Sequence, residues 1–121
     1  MNRSPAIIAA ALGAVAVILG AFGAHALRAQ LDAGSLQTWH TAVDYQFWHA
    51  LALIGLACAP ASRWRFVGSI AFGAGIVLFC GSLYALALGA PRWIGAITPI
   101  GGLGFIAGWV CLGGAFWRSA R

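Results

Sequence analysis

The stretch from His40 to His49 carries most of this chain's chemistry-bearing side chains: His40, Asp44, Tyr45, Gln46 and His49. Imidazole, carboxylate and phenol groups placed so close together suit proton relay, capture of a small polar solute or, through the imidazoles, ligation of a metal. On a helix, His40 and Asp44 share a face at a spacing of four, with Phe47 and Leu51 continuing it. Tyr45 and His49 make a second pair at the same spacing, with Gln46 beside them. His25 ends the preceding apolar run and is expected to approach the same level. An ionisable group in hydrocarbon is costly and is a functional candidate by default. The candidate polar cluster is His25, Asp44, Tyr45, Gln46 and His49, together with Tyr84 from a later segment.

Each residue also has a plainer role. His40 and Asp44, next to Trp39, suit a position among lipid headgroups, where polar groups cost little. His49 would fix helix register by bonding Gln46, Tyr84 or a backbone carbonyl. Paired histidines on neighbouring helices could ligate haem, but two histidines are a weak signal for it; no cofactor or metal is expected. The chain has no Glu or Lys, no nucleophile elbow, no P-loop and no metal-ligand spacing with acids. A non-enzymatic accessory or structural membrane component is the expectation. The alternative is a minor transporter or proton- or small-solute-binding protein using His25, Tyr45, Gln46 and His49.

The elements around the cluster are dictated by composition. In 121 residues, 62% are hydrophobic and 7% charged, against about 25% charged in soluble domains. Too few charges remain to cover a water-facing surface, so lipid is the main solvent. Spans need about 20 mainly apolar residues, and four fit, at about 5–27, 41–59, 66–88 and 94–117, within one domain covering residues 1–121. Gly89, Ala90 and Pro91 stop the third. In the fourth, Pro99 suits a first helical turn, with Thr98 as its cap, leaving Trp93–Ile97 as a short interfacial segment; a kinked continuous helix is the alternative. Ser35 is the expected cap of the second helix, which then runs about 25 residues, roughly 37 Å.

All basic residues are arginines, and they lie at segment ends. Arg3, Arg63, Arg65, Arg118 and Arg121 fall on one side of four spans, Arg28 and Arg92 on the other. This bias predicts that both termini are cytoplasmic, with Trp39, Trp64, Trp93 and Trp117 in aromatic belts. Arginines confined to span ends are not a nucleic-acid footprint. Ala24-His25-Ala26 resembles a signal-cleavage site, but the apolar run before it exceeds the usual 7–15 residues of a signal core, so a retained span is expected. Cys58, Cys80 and Cys111 form no C-x-x-C pair and read as small buried hydrophobes.

Small residues recur at heptad spacing: Ala6, Ala9, Gly13, Ala16, Gly20 and Gly23; then Gly68, Ala71, Gly75, Ser82, Ala85 and Gly89, interrupted by Leu78; then Gly101, Gly104, Gly108, Cys111 and Ala115. In lipid, helices associate through close backbone approach at such stripes. The pattern predicts a compact antiparallel four-helix bundle with large Leu, Ile and Phe side chains turned to lipid. Leucine at Gly13 or Gly104 should then destabilise it. The expected partners are membrane lipids, with a membrane-protein partner or self-association through leftover stripes as open alternatives.

Four stretches in this order also look familiar as a set: Gly20-Ala-Phe-Gly-Ala-His-Ala-Leu27, Thr41-Ala-Val-Asp-Tyr-Gln-Phe-Trp-His-Ala-Leu-Ala-Leu53, Gly81-Ser-Leu-Tyr-Ala-Leu-Ala-Leu88 and Ile97-Thr-Pro-Ile-Gly-Gly102. Through them the chain resembles the YgdD-like family of small multi-spanning inner-membrane proteins over nearly its whole length. The resemblance implies a four-helix membrane protein of the bacterial inner membrane with no assigned activity. It places His25, Tyr45, Gln46, His49, Ser82, Tyr84, Thr98 and Pro99 in the family's motifs and carries over no catalytic or binding role.

Overall fold

The computed structural model describes residues 3–119, all helix and short connections. Helix α1 is Arg3–His25 and α2 is Ala33–Ala57. A continuous rod, Arg63–Ala87, consists of α3 (Arg63–Gly75), one π turn (Ile76–Cys80) and α4 (Gly81–Ala87). A 3₁₀ turn at Arg92–Ala96 leads to α5, Thr98–Ser119. The α1, Arg63–Ala87 and Arg92–Ser119 stretches are long and apolar enough to cross a membrane. Helix α2 is as long, but its polar residues lower its apolarity. It is the central element, packed against α1, the rod and α5, whereas α1 lies chiefly along α2.

Local chemistry sets the helix ends. Asp32, rather than Ser35, caps α2: its carboxylate accepts the Ser35 N–H at 2.7 Å, so the helix starts earlier than expected. That hydrogen bond holds the Asp32 carboxyl below its ordinary value of 3.8. Ser62 caps α3 by accepting the Arg65 N–H. The rod ends at Gly89, whose φ of 102° supplies the left-handed position of a Schellman motif. There Ala90 N–H reaches the Ala85 carbonyl and Gly89 N–H the Leu86 carbonyl. Pro99 occupies the first turn of α5, where no donor is missed.

Packing departs from a core of small residues alone. Phe72, Leu53 and Leu56 are the largest fully buried side chains, and Phe105 is also buried. Glycines open the notches that receive large side chains. A methyl on Gly108 would meet the Phe72 ring, one on Gly75 the Phe105 ring, one on Gly114 the Trp64 indole, and one on Gly23 the Trp39 indole. Phe72 on α3 and Phe105 on α5 therefore enter each other's helix reciprocally. At Gly101 even a methyl would strike the Phe79 backbone, so α5 and the rod are in close backbone contact there. Gly13 is different: nothing lies within 4 Å of a Cβ there, so the stripe on α1 does not use it. Leu78 interrupts the third stripe because the π turn falls there. Gly81 N–H reaches back to the Ile76 carbonyl, and Ile76 and Cys80 at the two ends of this turn are buried, as is Phe72 before it. Gly89 is exposed at the rod's end.

Two grooves show that the chain doubles back to the same end. Ser4 and Pro5 of α1 share one groove with Ser62 and Arg65. Arg63 and Arg118 share another. The start of α1, the α2–α3 connection and the end of α5 lie together.

Candidate functional site

Gln46 and His49, in the middle turns of α2, face the protein. Gln46 is buried and bonded at both ends of its amide: Nε2 donates to the Leu12 carbonyl of α1 at 2.8 Å, and Oε1 accepts the Tyr84 hydroxyl of α4 at 2.7 Å. One side chain thus ties three helices together. Below it His49 is also buried. Its Nδ1 lies 2.7 Å from the Tyr45 carbonyl, one turn back, and its Nε2 accepts the Trp109 indole N–H of α5 at 3.1 Å. The carbonyl only accepts and the indole only donates, so the two partners select the neutral tautomer with the proton on Nδ1. The imidazole stacks on Phe105 with ring centroids 3.7 Å apart and packs edge-on with Trp109.

Tyr45 joins this cluster through its ring, 4.6 Å from that of Phe79 and 5.8 Å from that of His49. Tyr84 extends it toward the opposite end, where its ring meets the Trp39 indole at 4.7 Å. Trp39 is buried rather than held in an aromatic belt, and its Nε1 donates to the Leu19 carbonyl. Ser82 and Thr98 form a separate link between α4 and α5, with their hydroxyls 2.5 Å apart. The Ser82 proton goes to the Phe79 carbonyl, so Thr98 is the donor between them.

His25 and Asp44 do not join the cluster. Gln46 is level with Leu12, and Gly23 is level with Trp39. From Leu12 to His25, α1 climbs roughly 20 Å at 1.5 Å per residue, away from His49, which lies a further turn down α2. The antiparallel register of α1 and α2 thus forbids the expected approach of His25 to His49, and His25 is exposed at the end of α1. Asp44 is exposed beside a shallow groove of about 430 Å³ lined by Ala16, Gly20, Val43 and Trp48. His40 is half-buried on the same helix one turn earlier.

Trp109 and the Leu12 carbonyl are the partners that sequence reasoning missed. A tryptophan in the middle of an apolar span, rather than at its end, is itself a signal, because its N–H needs an acceptor there. Among the described residues no buried side-chain nitrogen or oxygen lacks a hydrogen bond, and no group of three or more His, Cys, Asp and Glu is placed to hold a metal. With both imidazole nitrogens engaged, His49 has no lone pair to offer an iron or zinc.

The family model described as "Protein of unknown function (DUF423)" matches residues 19–102, which include Tyr45, Gln46, His49 and Tyr84 but not their partners Leu12, Phe105 and Trp109. The chain belongs to this family. The chain is similar to the UPF0382 inner membrane protein YgdD of Escherichia coli K12, 42% identical over 114 residues, 92% of this chain and 87% of the relative. It is similar to the UPF0382 membrane protein YwdK of Bacillus subtilis, 45% identical over 112 residues, 88% and 90% of the two chains. A Staphylococcus saprophyticus UPF0382 membrane protein is 51% identical over 110 residues, 88% and 91% of the two. No solved structure matches. This DUF423 member is a multi-pass inner-membrane protein. Its polar network lies among helices that lipid surrounds, where each unmet polar group would be costly.

Proposed function

We propose that the chain crosses the inner membrane four times with both termini in the cytoplasm, and acts as a non-enzymatic accessory or structural component of that membrane. The observation that carries this reading is the closure of the polar cluster. Gln46, His49 and Tyr84 spend their polar atoms on neighbouring helices or their own backbone. The α1–α3, α3–α5 and α1–α2 grooves are lined by other residues. A relay or solute site needs a polar group that can change partners beside water or a cavity. Here the same groups favour interhelical bonding, worth about 0.6 kcal/mol on average and up to about 1.7 in membranes. The exposed position of His25 also weakens the transport alternative.

The orientation is supported by charge. Arg3, Arg63, Arg65 and Arg118 belong to the end where α1 begins and α5 finishes, and Arg28 and Arg92 to the other. Arg121, counted with the first group, lies outside the described residues. Cys58, unlike the buried Cys80 and Cys111, is exposed at the end of α2 against the sequence expectation, and reports the sidedness directly. A membrane-impermeant maleimide should label it in inverted vesicles and not in intact spheroplasts; the opposite pattern overturns the orientation. Reconstituted in liposomes under a pH gradient, the protein should leak no faster than empty vesicles. A proton or solute flux that falls several-fold in His49→Phe or Gln46→Leu would replace the structural reading with transport.

A further inference from the structure

A groove of about 610 Å³ runs between α1 and α3, within the roughly 300–1,000 Å³ of small-molecule sites. Leu53 forms its buried floor, and Ile8, Phe66 and Ile70, respectively 53%, 67% and 56% exposed, line its sides. Gly73 lies at the deep end and Arg65 at the mouth. Along α3 the groove extends from Ser62 to Ala74, roughly 18 Å at 1.5 Å per residue. That is close to half of a hydrocarbon core of about 30 Å. The groove is therefore one leaflet deep, which suits a single acyl chain and not a through-passage.

Charge at the mouth selects the headgroup. The Arg65 guanidinium is oriented by one bond, from Nη1 to the Ala59 carbonyl at 2.9 Å. Its remaining N–H groups have no protein partner among the described residues. Arg3 and Arg63 belong to the same end, while Asp32 caps α2 at the other end and Asp44 lines the separate α1–α2 groove. Among the described residues no Asp or Glu at this mouth competes for the cations. A guanidinium fork matches phosphate oxygens in geometry as well as charge.

We infer that this groove is a binding site for an anionic phospholipid, with an acyl chain along Ile8, Leu53, Phe66 and Ile70 and its phosphate accepting hydrogen bonds from Arg65. Its place in the cytoplasmic leaflet rests on the orientation proposed above; the site itself does not. A zwitterionic lipid would fill the groove equally but gain less from a mouth of unopposed arginines.

Native mass spectrometry of the delipidated full chain, titrated with phosphatidylglycerol or phosphatidylcholine, tests the inference. Wild type should prefer phosphatidylglycerol by about five-fold, the weight of one interfacial arginine. Arg65→Gln should erase that preference, Arg65→Lys should keep most of it, and Arg92→Gln at the other end should leave it intact. Gly73→Phe should weaken both lipids several-fold, because its ring fills the groove. A Cβ at Gly73 meets open space, so this variant keeps the fold and an unchanged melting temperature verifies it. Equal binding of the two lipids to wild type, a preference that survives Arg65→Gln, or full binding by Gly73→Phe would each overturn the site.

Discussion

The Tyr84 hydroxyl donates to Gln46 Oε1 at 2.7 Å, while the amide nitrogen of the same glutamine donates to the Leu12 carbonyl. This pair joins α4 to α2, and through α2 to α1. Tyr84→Phe leaves a buried glutamine oxygen without its donor. The expected loss is about 1 kcal/mol, inside the range for hydrogen bonds between membrane helices. Unfolding in mixed detergent micelles measures it, and a loss below the error of that assay would contradict a locking role for Gln46.

His49 separates shape from hydrogen bonding. His49→Ala empties the space between Phe105 and Phe72 and should cost about 2 kcal/mol or more through the cavity left behind. His49→Phe keeps the stack on Phe105 and strands only the Trp109 N–H, so a loss nearer 1 kcal/mol is expected. The same unfolding assay compares them. Equal losses would mean that the stacked ring contributes little.

Glycines are not equivalent in this fold. Gly101→Ala drives a methyl into the Phe79 backbone, which cannot move without shifting the rod. An overpacking cost of about 1–3 kcal/mol is expected. Gly13→Leu, placed in open space, should leave stability within about 0.5 kcal/mol of wild type, as for substitutions away from packed features. Gly104 packs against the Ala71 carbonyl and the Gly75 backbone, and leucine there should destabilise strongly. A melting series over these three positions checks the order.

The start of α2 should loosen in acid. Its cap, Asp32, has a folded-state value held below 3.8 by the Ser35 N–H. A lowered carboxyl value means the cap contributes fully above the ordinary value and is lost as pH falls through the lowered one. Amide exchange at Ser35 should therefore rise as pH is taken below about 4, after correction for the intrinsic rate. In Asp32→Asn, which keeps a capping oxygen without the charge, that added pH dependence should vanish. If it persists, another group governs the fraying.

The apolar runs and the arginines at their ends made the helical membrane architecture legible in the sequence, because lipid imposes that pattern on any spanning helix. Stops at Gly89 and near Pro99 were legible for similar local reasons. The site was not, since it depends on how helices meet. His25 and His49 are close in polarity and chain position but run apart once α1 and α2 are antiparallel and in register at Leu12 and Gln46. The π turn lies within the third stripe, so heptad spacing alone does not reveal that Ile76 is buried there. Asp32 and Ser35 are both good caps, and only backbone geometry chooses between them.

Gln46 has one partner that precedes it in the chain and one that follows. Leu12 has already been synthesised when Gln46 emerges, whereas Tyr84 arrives 38 residues later. During that interval α2, too polar in its middle to be at ease alone in lipid, must lean on α1 with half its amide unanswered. The bond to Tyr84 then closes the account of α2 and makes the second half of the chain a condition for the first half's comfort. Truncation before Tyr84 should thus leave α2 insecure in the bilayer, although all of its residues are present.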